Sequence, residues 1–272
     1  MCSVKVSYYG DEGSYSEEVT LKFFSNAVLI PCRRFRNVFE NVVRGVSEFG
    51  VIPIENSLEG SVGEVYDLLK EFNVMIYGEA QLRISHCLIV LPGVELRSVK
   101  YVYSHPQALA QCSRFLSSLD VELIPYHSTS SAVKMIKERQ LRDSAAIGSL
   151  RAAEIYGMEV LAKGVEDNPN NFTRFLIISL RDHEPTGKDK TSIILGLPHI
   201  PGSLYSALEE FAIRKINLTK IESRPNKERT WEYIFFIDFE GHRLNTNCSE
   251  AIKALSKKTP YIKILGSYPK TT

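Results

Sequence analysis

The residue pattern predicts an α/β protein: a larger domain of alternating strands and helices, then a smaller ferredoxin-like β-α-β-β-α-β unit. Three observations carry this reading. Strand-like and helix-like segments alternate over residues 1–180, the signature of mainly parallel pairing. The stretch RDHEPTGKDK (181–190) is charged, aperiodic and contains Pro185 and Gly187, so it reads as a linker. After it the order of elements changes.

Taken in order, VKVSYYG (4–10) reads as a strand entering a glycine turn, and SYSEEVTLKFF (14–24) as a helix. EFGVIPIEN (48–56) is a strand, followed by a helix from about Ser61. MIYGEA and RISHCLIVL make a long strand pair over 74–91, where alternation briefly stops; this looks like a crossover between two lobes. YVYS leads into the helix of HPQALAQCSRFLSSL, ELIPY into a helix near STSSAVKMIKE, and SAAIGS into LRAAEIYG. FTRFLIISL (172–180) closes the domain. Beyond the linker, TSIILGLP, LTKIESRP, TWEYIFFIDFEG and YIKILGSY read as strands, with a turn NKER (226–229). SLYSALEEFAIRKI, with Leu204, Leu208 and Phe211 on one stripe, and SEAIKALSKK read as helices.

Composition bounds the function. At 44% hydrophobic and 24% charged, the 272 residues describe a globular chain with a real core. A net charge of +1 offers no field for nucleic acid. The five cysteines are scattered without C-x-x-C spacing, which disfavours a disulfide framework or zinc site and fits a reducing compartment. MCSVKVSYYG lacks the charged and apolar regions of a secretion signal, and no apolar run approaches the ~20 residues of a membrane helix. The expectation is a cytoplasmic protein without membrane or nucleic-acid partners. No G-x-G-x-x-G, P-loop, G-x-S-x-G or H-E-x-x-H occurs, so no nucleotide, metal or other cofactor is expected.

Candidate chemistry sits where strands meet helices. Gly13-Ser14-Tyr15-Ser16, Glu55-Asn56-Ser57 running to Ser61, and Ser128-Thr129-Ser130-Ser131 each place small polar residues after a strand. Free N–H groups and the helix dipole make such ends anion sites, although the same residues are ordinary N-caps. Three of them suggest a small polyanion such as a di-carboxylate. NPNNFTRFLIISL (168–180) places Arg174 in an apolar row. It is either a partner of a nearby carboxylate or a planar fork for a substrate carboxylate. Thr173 beside it is a good strand residue and a poor acid unless neighbours assist it. The two point to opposite faces of a regular strand, so a shared site needs a twisted strand start, which Asn170 and Asn171 permit. His105 reads as a helix start and His86 as a satisfied core histidine.

GVIPIENSLEGSV (50–62), SHPQALAQC (104–112) and NFTRF (171–175) closely resemble signature segments of the prephenate dehydratases, and YYGDEGSYSEE (8–18) that family's opening turn. PGSLYSAL (201–208) and IESRP (221–225) resemble the two segments of an ACT regulatory domain. Asp11, Ser14 and Tyr15 stand where the family has Pro, Thr and Phe, and Ser203 where the regulatory segment has Ala.

The resemblance implies decarboxylation and dehydration of prephenate to phenylpyruvate in phenylalanine biosynthesis. It implies that Thr173 is the catalytic group, with Arg174, Phe175, Asn56, Ser57, Ser14 and Asn171 binding substrate. It also implies a two-lobed catalytic domain like type II periplasmic binding proteins. The expected layout is catalytic residues 1–180 (lobes about 1–78 plus 160–180, and 79–159), linker 181–190, and ACT domain 191–272. Feedback by L-phenylalanine is expected at Gly202, Ser203, Leu204, Glu222, Ser223, Arg224 and Pro225, in a homodimer or homotetramer. Arogenate dehydratase and a non-catalytic amino-acid or oxo-acid sensor are the alternatives.

Overall fold

The computed structural model describes residues 3–226 and 232–271. Most of the turn expected at 226–229 therefore lies outside the described residues.

Strand β1 (Lys5–Tyr9) leads through a glycine turn into α1 (Tyr15–Phe23). Gly13 sits there at φ +81, and a Cβ on it would fall 2.7 Å from the Ala152 backbone. Only glycine meets both demands. β2 (Val28–Cys32) returns parallel to β1, and α2 (Phe35–Val43) precedes β3 (Phe49–Asn56). β3 is apolar and buried along nearly its whole length, as a strand covered on both faces must be. It turns tightly into β4 (Gly60–Ser61), pairing Asn56 with Gly60. The next helix, α3 (Gly63–Glu71), starts later than Ser61 because this hairpin takes up the intervening residues. β5 (Met75–Arg83) follows.

The middle of the chain contributes β6 (Cys87–Val90), β7 (Tyr101–Ser104), α4 (Pro106–Gln111), α5 (Ser113–Ser117) and β8 (Glu122–Pro125). Then come α6 (Thr129–Arg139), β9 (Ser144–Gly148), α7 (Leu150–Tyr156) and β10 (Glu159–Lys163). Its sheet has the order β10-β6-β9-β7-β8, with Leu88, Ile89, Val102, Val133 and Ile147 fully buried around it. β10 stays with this sheet, antiparallel to β6, so the chain returns later than the residue near 160 that the pattern suggests. A strand's periodicity does not state its partner. β11 (Phe172–Ser179) makes the return, within the order β2-β1-β3-β11-β5.

The remainder is β12 (Asp189–Gly196), α8 (Ser203–Ala212), β13 (Leu218–Pro225), β14 (Tyr233–Glu240), α9 (Thr246–Lys258) and β15 (Tyr261–Pro269). Its antiparallel sheet, β13-β14-β12-β15, is the expected β-α-β-β-α-β arrangement. Ile193, Leu195, Phe211, Ile237, Phe239 and Leu255 form its core.

The chain divides into two compact units, residues 1–38, 51–62 and 81–175, and residues 39–50, 63–80 and 176–272. Within the second, α3 is held by side chains distant in sequence. Tyr66 packs edge-on against Phe236 at 4.7 Å, and Asp67 accepts from Arg224 at 3.5 Å. The Lys263 ammonium donates to the carbonyls of Leu69, Lys70 and Phe72 at 2.7–3.0 Å, capping the helix C-terminus where the dipole favours a cation. Lys190 and Glu79 form a buried pair at 2.8 Å in the same unit. No described helix is long and apolar enough to cross a membrane.

Candidate active site

The first unit joins the end of β3 to the start of β11. Backbone N–H of Ser57 donates to Phe172 O at 2.8 Å, and Ser57 Oγ accepts from Phe172 N at 2.9 Å while donating to Asn170 O at 2.9 Å. This seam fixes register, and the pleat then decides which side chains face inward. Thr173 and Phe175 are buried, whereas Phe172 on the opposite face is exposed.

Asn56 is the hub. Its Oδ1 accepts from the backbone N–H groups of Leu58 and Glu59 at 3.0 and 3.1 Å, so the side-chain nitrogen must point the other way. That nitrogen donates to Asn171 Oδ1 at 2.7 Å and to Thr173 Oγ1 at 3.0 Å. Asn171 is fully buried, and Asn56 and Thr173 are nearly so. An amide donor already occupies one lone pair of the threonine oxygen. The hydroxyl hydrogen is left to point elsewhere, and its oxygen is polarised toward releasing it.

The network continues. Asn171 Nδ2 donates to Gln111 Oε1 at 2.9 Å, and Gln111 Nε2 donates to Glu59 Oε1 at 3.3 Å. Gln111 Oε1 also lies 3.2 Å from His86 Nε2, and His86 Nδ1 lies 2.9 Å from the Tyr15 hydroxyl. Burial lowers the His86 pKa below 6.5, against the opposing pull of the Gln111 bond and the Glu166 charge. Burial likewise raises Tyr15 well above its ordinary value. Cys112 is pushed up to about 12, first by burial and then by Glu166 and Asp167, so this thiol has little thiolate character.

Several expectations change. Arg174 does not share a site with Thr173: regular alternation turns it to the other face, where it pairs with Glu55 at 3.8 Å. There it braces β3 against β11. Phe175 is 2% exposed and belongs to the buried core. Ser14 caps α1 by accepting from Glu17 N at 3.3 Å, and the Gly13 N–H goes to the buried Glu17 carboxylate at 2.5 Å. That helix end already holds an internal anion. The Asn56 turn is a hairpin whose free N–H groups are taken by Asn56 itself. Ser128 and Ser131 cap α6 reciprocally. Ser14, Asn56, Ser128 and Ser131 thus have internal partners, the ordinary fate of N-cap residues. His105 caps α4, as its flanking Ser104 and Pro106 suggest.

Sequence reasoning passed over Gln111, Tyr15 and the participation of His86. Gln111 stood inside a quoted motif, but no local pattern signals a side chain that bridges Asn171 and His86.

Comparison with known proteins identifies relatives of the whole chain. A family model for prephenate dehydratase matches residues 6–183. The chain is 42% identical to the bifunctional chorismate mutase/prephenate dehydratase of Aquifex aeolicus, over 98% of this chain and 74% of the relative. It is 40% identical to arogenate dehydratase/prephenate dehydratase 2 of Arabidopsis thaliana, over 99% of this chain and 74% of the relative. The solved prephenate dehydratase of Arthrobacter aurescens in complex with L-Phe superimposes with a TM-score of 0.90 at 34% identity, covering 98% and 90% of the two chains. A structure described as a quorum-quenching acylase superimposes with a TM-score of 0.91 at 31% identity, covering 98% of each chain.

Proposed function

The chain belongs to the prephenate dehydratase family and is an enzyme of the carbon–oxygen lyase class; we propose that its reaction runs at the Thr173–Asn56–Asn171 cluster. The single observation that carries this reading is the Asn56 amide donating to Thr173 Oγ1 at 3.0 Å. In prephenate, the ring carboxylate's C–C bond breaks to release carbon dioxide. Its electron pair flows into the ring, which becomes aromatic as the C–O bond to the hydroxyl breaks on the opposite side. Aromatisation supplies much of the driving force. The protein's tasks are to align the two breaking bonds and to give the departing hydroxide a hydrogen bond or proton. Thr173 does this with the hydrogen that its bond from Asn56 leaves free. Asn171 holds the Asn56 amide in line, and Ser57 holds the β3–β11 seam.

We assign residues 1–180 to this catalytic domain, 181–188 to a linker that ends where β12 begins, and 189–272 to an ACT regulatory domain that takes L-phenylalanine as feedback effector in a homodimer or homotetramer. The β-α-β-β-α-β order supports that assignment, as does Gly202, which enters α8 at φ +81 and lets a ligand approach the backbone closely. A cavity of about 350 Å³ beside Ser203, Ile200 and Tyr233 is of a size for one amino acid. Gly202, Ser203, Leu204 and Glu222 through Pro225 are the candidate contacts. Arg224 is also bonded to Asp67 on α3.

Arogenate is a second substrate reading, favoured by the Arabidopsis relative that carries both activities in its name. Incubation of purified protein with prephenate and separately with arogenate, with and without L-phenylalanine, tests these proposals together. Phenylpyruvate formation that falls as L-phenylalanine rises is the expected result. Turnover of neither compound refutes the site, and undiminished turnover with no calorimetric binding refutes the effector.

A further inference from the structure

The hydrogen-bond chain behind Thr173 has a direction, and that direction constrains a residue outside the reacting cluster. Asn56 is oriented by two backbone donors, which makes its nitrogen the donor to Asn171 Oδ1. Asn171 must then offer nitrogen to Gln111, whose oxygen accepts it. The Glu59 carboxylate independently requires the Gln111 nitrogen on its own side. Both constraints leave the same atom, Gln111 Oε1, facing His86 Nε2 at 3.2 Å. An oxygen that only accepts needs a donor opposite it. On the other side of the ring, the Tyr15 hydroxyl lies 2.9 Å from His86 Nδ1 and 2.8 Å from Ser85 O, and its single hydrogen serves one of these two acceptors; the Nε2–H form of the ring directs it to Nδ1.

We propose that His86 is a positioning residue for Thr173: a neutral imidazole held in the Nε2–H tautomer, whose donor pins the Gln111 carbonyl and through Asn171 and Asn56 keeps the threonine hydroxyl aimed. The proposal rests on the reaction site assigned above. Its rationale is economy of proton placement. Each amide in the chain has one correct orientation out of two, and the buried chain stays correct only if both ends are fixed. Asn56 is fixed by the β3–β4 turn. Gln111 ends α4 and has a carboxylate on one side, so His86 supplies the fixed donor on the other.

The surroundings suit this role and not that of a base. His86 is buried, and its hydrogen-bonded connection to the Thr173 oxygen runs through three amides, which do not relay protons readily. Its backbone N–H is tied to Glu166 Oε2 at 2.8 Å, and Glu166 is in turn held by Arg83 at 3.1 Å. The titratable groups facing His86 and Tyr15 are Glu166, Arg83, Glu18, Cys87 and Cys112. Of these, only the Glu166 charge acts to raise the pKa of His86, and burial outweighs it.

Two substitutions separate the ring nitrogens. A glutamine side chain places its amide near the position of Nε2, whereas asparagine places it near Nδ1. In full-length protein, H86Q is expected to keep kcat within about threefold. H86N should lose about tenfold or more with little change in KM, the range typical of outer-layer orienting residues. A merely structural contact to Tyr15 gives the reverse order, since asparagine preserves it; H86N as active as H86Q, or more so, overturns the proposal. Imidazole ¹⁵N spectra, assigned by the signal missing in folded H86Q, supply a readout independent of turnover. The wild-type protein at neutral pH should show the Nε2–H form, and an Nδ1–H form refutes the proposal. Failure of the Thr173 assignment itself appears differently, as undiminished turnover in T173V.

Discussion

Replacing Thr173 by valine keeps the side-chain shape and removes the hydroxyl. Two costs follow from the structure, and they separate. Loss of a donor aimed at developing negative charge reduces kcat by about 10²–10³-fold, or roughly 2.7–4 kcal/mol of barrier. Asn56 Nδ2 loses one of its two acceptors at a site where Thr173 is 9% exposed, which costs about 1–3 kcal/mol of stability for an unpaired buried donor. A domain stable by ~5–15 kcal/mol stays almost entirely folded after that loss. The drop in turnover therefore cannot come from unfolding. Initial rates of phenylpyruvate formation from saturating prephenate measure the first cost, and thermal melts of the same samples measure the second. T173S, which keeps the hydroxyl, should retain most of the activity. T173V turning over within about threefold of wild type would show that the hydroxyl does not assist departure of the leaving group.

Three further outcomes are expected. R174Q should leave KM for prephenate within about threefold and lower stability by up to about 1 kcal/mol, because the partner Glu55 is one-third exposed and such pairs are weak. A large rise in KM would restore Arg174 as a carboxylate holder. K190M should destabilise by about 3–5 kcal/mol by removing the countercharge of the buried Glu79 carboxylate, and adding E79L should recover much of that loss in denaturant titrations. Burial lowers the His86 pKa below 6.5 in the folded state, so the unfolded chain takes up that proton first as pH falls. The His86 contribution to stability is thus complete above about pH 6.5 and is lost as pH falls through the window beneath it. Melting temperatures of H86Q should fall less steeply over that window than those of wild type; parallel curves would contradict the assignment.

Much of the fold was legible because its signals are local. Apolar runs such as FGVIPI and LIISL mark strands, Ser14 and Ser128 mark helix starts, and β-α-β-β-α-β order after residue 190 follows from element sequence alone. The site was legible in part. Asn56, Ser57, Asn171 and Thr173 stand in recognisable segments, and they meet because β3 and β11 are neighbours. Ser14 and Arg174 were harder, since a serine after a strand caps a helix or binds an anion with equal local logic. Which it does depends on whether a residue such as Glu17 already fills the position.

What the sequence determined by itself is the chemistry on offer: a threonine hydroxyl at a strand start, amides ahead of it, and no nucleophile or nucleotide motif to rival them. What only the tertiary structure decided is orientation. The alternation of β11 separates Thr173 from Arg174, but the Glu55 partner that makes Arg174 a brace and the amide that meets Thr173 each lie more than a hundred residues away, and the histidine behind Gln111 lies 25 residues from it. Hydrogen-bond direction depends on every partner at once, and a linear pattern records none of these long-range pairings.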